Sequence, residues 1–449
     1  METRLDTQQK VPMLNKVAYG VGTGGGCIFN QIAVAFLLNY YTDTAMIGAA
    51  GIGTMFLICR VFDGISDFVM GGIVDKTHTK IGKARPWLFL SGPLTLLGIV
   101  LLMNVPLGMS EGGKLVYAYI TYIFMNCIVY TMYGIANTAM LPLLTRNAKE
   151  SVMLSTFSAI GNNGIGLIAG VAITPLVLNL GWTTASWILG GVACALILFS
   201  ALINKEIGMD EKDAGGPAPA SVPMSEQIPA ALKNRYFWLL ALIGVFSLLM
   251  NANAIGAQLY YCINVLGNPG YMTVLMTAGQ FPGLVIMFLM PAIANKWSKQ
   301  VFLGLGSVLL IAGFGITGLA GDNLTMIVVG TVIRSFGAGP LLSAVFALVP
   351  DVVEYGYWKF GVRTEGLISS AQSIGSKVGI GFGSAMTAWI LAAVGYDQTP
   401  GAIQSEAVIN AIKFDYTWLG AILGVVILVI VLLLNVEKYA PQYRGEQSK

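Results

Sequence analysis

The chain has 449 residues, of which 55 % are hydrophobic and 10 % charged, against about 25 % charged in soluble domains. That composition excludes a soluble globular protein and points to a polytopic membrane protein, and a net charge of +3 is too small to argue for a nucleic-acid partner. The single His, His78, and five Cys that all fall inside apolar runs (Cys27, Cys59, Cys127, Cys194, Cys262) leave neither a metal-ligand spacing nor a disulfide framework. Met1 to Lys10 is polar and lacks the apolar core of a signal peptide, so the first apolar segment is expected to be retained.

Apolar runs of about twenty residues predict membrane-spanning helices. Twelve lie near 16–41, 45–74, 86–106, 114–141, 151–179, 182–203, 236–266, 270–296, 301–320, 324–349, 364–395 and 412–436. They fall into an N-terminal six-helix bundle, 1–204, and a C-terminal one, 236–436, with a cytoplasmic tail at 437–449. Between the bundles, 205–235 holds Asp210, Glu211, Lys212, Asp213 and a Gly-Pro-rich run, and reads as a solvated linker with a short surface helix before Arg235. Twenty Lys and Arg flank the runs on one side and only Lys114 and Lys413 on the other. The positive-inside rule therefore places both termini in the cytoplasm.

The second run carries the first functional signal. Arg60, Asp63 and Asp67 sit inside it at spacings of three and four, which share one helical face. A charge in hydrocarbon costs at least ~2.5–3.5 kcal/mol on insertion scales, so the three are expected to face a bundle interior or a wet cavity. A buried Arg–Asp staple is the plainer reading, but one acid would satisfy Arg60 and leave the other in need of a cation. Two carboxylates one turn apart offer hard oxygen ligands to Na+ or a shared site for H+.

In the fourth run, Tyr130 and Tyr133 could stack on a sugar ring, as could Phe346 in the tenth and Trp389 in the eleventh. Helix packing is the plainer role for each. Arg334 lies about ten residues into the tenth run and either lines a cavity or pairs locally. Lys377 in the eleventh run needs an anion. With Asp63 and Asp67 counted as the only deep acids, a bridge between the second and eleventh helices is expected. Gly375, Gly379 and Gly383 repeat every four residues, a spacing that lets helices pack closely. No G-x-S-x-G, H-E-x-x-H or P-loop is present, so enzymatic chemistry is not expected, and transport would draw on an ion gradient.

Arg60 to Asp67, Gly71 to Asp75 and Gly82 to Trp87 together resemble the glycoside-pentoside-hexuronide:cation symporters. So do Asn39 to Asp43, Asp351 to Gly356 and Val362 to Glu365. The resemblance spans essentially the whole chain. It implies an all-α membrane protein with the twelve-helix fold of the major facilitator superfamily, a parallel repeat with its site at mid-membrane between the halves. The basic connector after the second run, with a shorter counterpart at Asn295 to Lys299, fits such a repeat.

The implied function is cation-coupled import of a glycoside, pentoside or hexuronide by alternating access. An uncoupled facilitator or a non-transporting sugar sensor on the same fold is the alternative. The implied partners are a sugar, a monovalent cation (Na+ or H+) and lipid, with no other cofactor and a monomeric state. Asp63, Asp67, Ser66 and Thr131 match the family's cation site, Ser66 standing where one member has Asn. Lys377, with Arg60, matches the coupling machinery.

Candidate sugar contacts are Cys27, Asn30, Gln31, Tyr130, Gly134, Arg334, Phe346 and Ser373. Cys27 and Gly134 replace carboxylates that grip galactosides elsewhere in the family, and Ala159 replaces an Arg. The cation machinery is kept while that galactoside grip is lost. With the deep charges of the runs summing to +1, an acidic sugar is one expectation and a neutral glucoside or xyloside the other.

Overall fold

Helix boundaries follow the connector chemistry. Asn147, Asn234, Ser298, Asn323 and Ser405 each turn a side-chain oxygen back onto an amide of the first turn that follows them, and Ser110 does the same for Gly113. The computed structural model describes residues 10–206, 224–294, 298–362, 364–399, 401–439 and 442.

Among these residues twelve long helices follow one another. They are α1, Met13–Thr44; α2, Ala49–Lys76; α3, Arg85–Leu102; α4, Glu111–Leu144; α5, 148–180, and α6, 182–203; α7, Arg235–Asn264; α8, Tyr271–Ala294; α9, Lys299–Leu319; α10, Leu324–Phe360; α11, Glu365–Ala393; and α12, 406–433. α5 and α6 follow each other without a longer connector, and α1 meets them in opposite directions, Gly20 and Gly24 at Phe157 and Ile165, Gly22 and Gly25 at Ser200 and Ala193. Only Gly181, at φ 74°, separates α5 from α6, a left-handed conformation that glycine adopts at no steric cost.

Two boundaries differ from the apolar runs. α10 continues to Phe360, which puts Asp351 on a helix, and α12 starts at Glu406, six residues before its run. The surface helix expected before Arg235 is present as Met224–Lys233. Asp210 to Pro219 and Asn295 to Trp297 lie outside the described residues.

The contacts divide the chain into two compact units, Met1–Ala214 with Gln398–Ala402, and Gly215–Asp397 with Ile403–Lys449. Each has its own apolar core, and each repeats the same devices. In the first unit, α1 crosses α5 so closely that a Cβ on Gly161 would overlap the carbonyl of Gly20. In the second, α7 meets α11, where a Cβ on Gly379 or Gly383 would overlap the carbonyls of Val245 or Leu249. The every-fourth glycines of the eleventh run are therefore a packing ridge.

A carboxylate after the last helix of each unit caps the third helix of that unit. Glu206 accepts from the amides of Lys83, Ala84 and Arg85 at 2.6, 2.8 and 2.9 Å. Glu437 accepts from Lys299 and Gln300, both at 3.1 Å. An acid at a helix N-terminus satisfies orphan donors and complements the helix dipole. A helix-for-helix correspondence at an offset of six is the mark of a parallel repeat.

Candidate functional site

The packed face of α2 runs through Ile52, Phe56, Cys59, Asp63, Met70 and Val74, all buried and spaced by three, four or seven residues. The α2 charges therefore do not share that face equally. Asp63 sits at its centre, 5 % exposed, while Arg60 and Asp67 lie at its edges, half-buried. The opposite side, with Val61, Ile65 and Phe68, is exposed in the protein alone, as a lipid-facing side would be.

α4 packs against that face, and it does so through a distortion. Residues Ile123–Tyr130 are π-helical, and Thr131 resumes the α-helix. π-helical turns inside α-helices are rare and gather at functional sites. Here the turn brings the Cys127 thiol to the carbonyl of Cys59, 3.4 Å away, and places Thr131 over Asp63. The Thr131 hydroxyl donates to Asp63 Oδ1 at 3.1 Å and lies 3.1 Å from Ser66 Oγ. Ser66 Oγ in turn reaches the Asp63 carbonyl at 3.0 Å. The Arg60 guanidinium stands 3.7 Å from Asp63 Oδ2. Carboxylate, carbonyl and two hydroxyl oxygens thus converge from two helices, with an internal cation at the edge. Such an oxygen-rich cluster suits a hard monovalent cation or a proton. Among the described residues no group of three or more His, Cys, Asp and Glu gathers in the manner of a transition-metal site.

The proposed sugar contacts of the first unit lie on α1 and α4. Cys27 is buried and hydrogen-bonded to Gln31, and α5 covers the pair at Gly166. Asn30 and Tyr130 are half-buried, the Tyr130 ring lying 5.1 Å from that of Phe29. A Cβ on Gly134 would meet nothing within 4 Å, so this position leaves open space. Tyr133 is a brace: its hydroxyl donates to the Gly22 carbonyl at 2.8 Å and its ring fills the space over Gly26. Beside it Thr23, Ser158 and Asn137 form a hydrogen-bonded group joining α1, α5 and α4. These three carry no motif, but Thr23, Cys27 and Asn30 fall on one helical stripe, a pattern visible in the sequence.

In the second unit Arg334 is buried and both pairs locally and lines a cavity. Its Nη2 donates to the Tyr416 hydroxyl at 3.1 Å. Lys377 is half-buried on α11. Phe346 on α10 and Ser373 on α11 hold helical positions, but their side chains lie outside those described.

One sequence expectation needs correction. Asp63 and Asp67 are not the only deep acids. Asp415 is 2 % exposed, ten residues into α12 and within its π-helical stretch Phe414–Trp418. Asn253 of α7 donates to it at 2.8 Å and to Thr387 of α11 at 3.0 Å. Because the apolar run begins at 412, Asp415 looks like a residue of the membrane edge; the earlier start of α12 carries it inward. The +1 count of deep charges therefore left out a buried acid.

The comparisons with known proteins agree with this architecture. The isoprimeverose transporter of Lactiplantibacillus pentosus is 30 % identical over 96 % of this chain and 90 % of its own length. The glucuronide carrier protein homolog of Escherichia coli is 29 % identical over 88 % of this chain and 87 % of its own. The nucleoside transporter NupG shares the fold at a TM-score of 0.65, with 11 % identity, over 94 % of this chain and 99 % of that one. The sequence profile of the MFS/sugar transport proteins matches residues 18–438. The chain therefore belongs to that family, as a multi-pass membrane transporter of the major facilitator fold and a member of the glycoside-pentoside-hexuronide:cation symporters.

Proposed function

We propose that the protein imports a glycoside, pentoside or hexuronide together with one monovalent cation by alternating access. The observation that carries this reading is the oxygen cluster of Asp63, Ser66 and Thr131 with Arg60 at its edge. Without a bound ion, Arg60 neutralises Asp63. An entering Na+ or H+ takes over that role and frees the guanidinium, a local change in charge of the kind that biases a two-state element. Asp67 completes the site one turn on. Lys377, half-buried on α11, is assigned to coupling on the family resemblance alone. Sugar contacts are assigned to Cys27, Asn30, Gln31, Tyr130 and Gly134, and to Arg334, Phe346 and Ser373. The names of the relatives, an isoprimeverose transporter and a glucuronide carrier homolog, support a sugar as cargo.

The test is uptake by the purified protein in sealed vesicles, with a Na+ or H+ gradient imposed in turn. One of the two gradients should drive a labelled glycoside above its outside concentration, and an ionophore for that ion should abolish the excess. Equilibration to equal concentration under both gradients would replace symport with uncoupled facilitation.

The basic asymmetry supports cytoplasmic termini. A reporter active only in the cytoplasm should be silent when fused after Ser110, in the α3–α4 connector, and active when fused after Lys233. Activity at Ser110 would invert the topology.

A further inference from the structure

The second unit has a partly open cavity of about 90 Å³ between α7, α8, α9 and α10. Its α7 wall is the stripe Ser247, Asn251, Ile255 and Gln258, and Arg334 faces it from α10. Two buried donors on this wall lack partners: Arg334 Nη1 and Gln258 Nε2. Arg334 is 8 % and Gln258 2 % exposed.

The guanidinium is held in place from behind. Its carbon lies 4.9 Å from the Phe314 ring centroid and 5.0 Å from that of Tyr416, and Nη2 is taken by the Tyr416 hydroxyl. Two flanking rings and one bond fix an Arg fork, which leaves the free edge committed to whatever enters. Among the described residues no carboxylate forms an ion pair with it. Asp415, the nearest acid in sequence to Tyr416, is engaged by Asn253. A buried cation with an unused donor, next to a buried amide donor, calls for an acceptor that also carries charge. The volume is several times the ~10–15 Å³ that one water needs on the same measure, so a carboxylate and part of the sugar that bears it have room there.

We propose that this cavity is an anion subsite that takes the carboxylate of an acidic sugar through Arg334 Nη1 and Gln258 Nε2. The proposal rests on the sugar-transport reading above and narrows its substrate to sugars bearing an acid. A free inorganic anion would satisfy the same donors, so the test separates the two sources.

The full-length protein, purified in detergent at constant Na+, is melted with methyl β-glucuronide, with methyl β-glucoside, or with added chloride. The glucuronide should raise the melting midpoint more than the glucoside does, and chloride should leave it unmoved. Arg334→Gln and Gln258→Leu should each weaken the glucuronide response tenfold or more. Gln258→Glu places a carboxylate beside Arg334. It should fold with an undiminished midpoint and lose the glucuronide response, which guards against variants that merely misfold. Equal responses to glucuronide and glucoside overturn the proposal, and so does a chloride response equal to that of the glucuronide. Either result leaves the transport reading standing, because uptake into vesicles under an imposed gradient, and not melting, decides that reading.

Discussion

Asp63→Cys should reduce sugar accumulation to simple equilibration. A tenfold cation gradient stores about 1.4 kcal/mol per ion, and a membrane potential of 100 mV adds about 2.3 kcal/mol per charge. Together these support roughly 500-fold accumulation of a neutral sugar with one cation. The thiol removes both Asp63 oxygens, one bonded by Thr131 at 3.1 Å and the other facing Arg60 at 3.7 Å, and leaves the guanidinium as an uncompensated charge. The ratio of inside to outside sugar should therefore fall from hundreds to about one. Sugar binding, read by melting with and without ligand, should persist in part. Asp67→Cys should behave alike. Normal accumulation in either variant would remove that residue from the coupling site.

Gly161→Leu should fail to yield folded protein. A Cβ at this position would overlap the backbone of Gly20 on α1, and neither partner is a side chain that can rotate away. Overpacking of a core costs typically 1–3 kcal/mol when side chains can adjust, so a backbone clash should exceed about 3 kcal/mol. Size-exclusion profiles of a fluorescent fusion should show aggregate instead of a single peak. Gly164→Ala is the control, since its Cβ meets nothing within 4 Å. It should give the wild-type profile, and a normal profile for Gly161→Leu would mean that α1 can stand off from α5.

The spans were legible because hydrocarbon imposes a length, and the connectors because charged and Gly-Pro-rich stretches separate the runs, while the Ser and Asn caps that set the helix starts were not read. The inward turn of Asp63 was legible because charges in an apolar run are expensive in lipid, while the edge placement of Arg60 and Asp67 was not, since spacings of three and four put all three on one face. Asp415 was not, since whether an acid near the end of an apolar run is deep depends on where its helix starts, which hydropathy does not say. Gln258 was hidden for a different reason. An uncharged amide in an apolar run costs little enough to pass unnoticed, and only the cavity and the idle donor opposite it give it weight. The glycine contact between α1 and α5 could be suspected from Gly20 and Gly24 at a four-residue spacing, as it was for the ridge on α11. Its partner, Gly161, could not be chosen without the crossing.

The π-helical stretch of α4 also bears on how this site could be gained or lost in evolution. In an ordinary α-helix, dropping one codon turns everything beyond it by ~100°, because 3.6 residues make a turn. Ile123–Tyr130 holds about one residue more than an α-helix with the same number of turns would need. Losing one residue there, such as the exposed Ile128, would let the wide turn relax to α geometry while the segments on either side kept their facing. A single in-frame deletion is thus a path between a reshaped α4 that sets Thr131 over Asp63 and a plain one that keeps the fold. In a protein of this kind coupling could be discarded, or recovered by insertion, without passing through an unfolded ancestor.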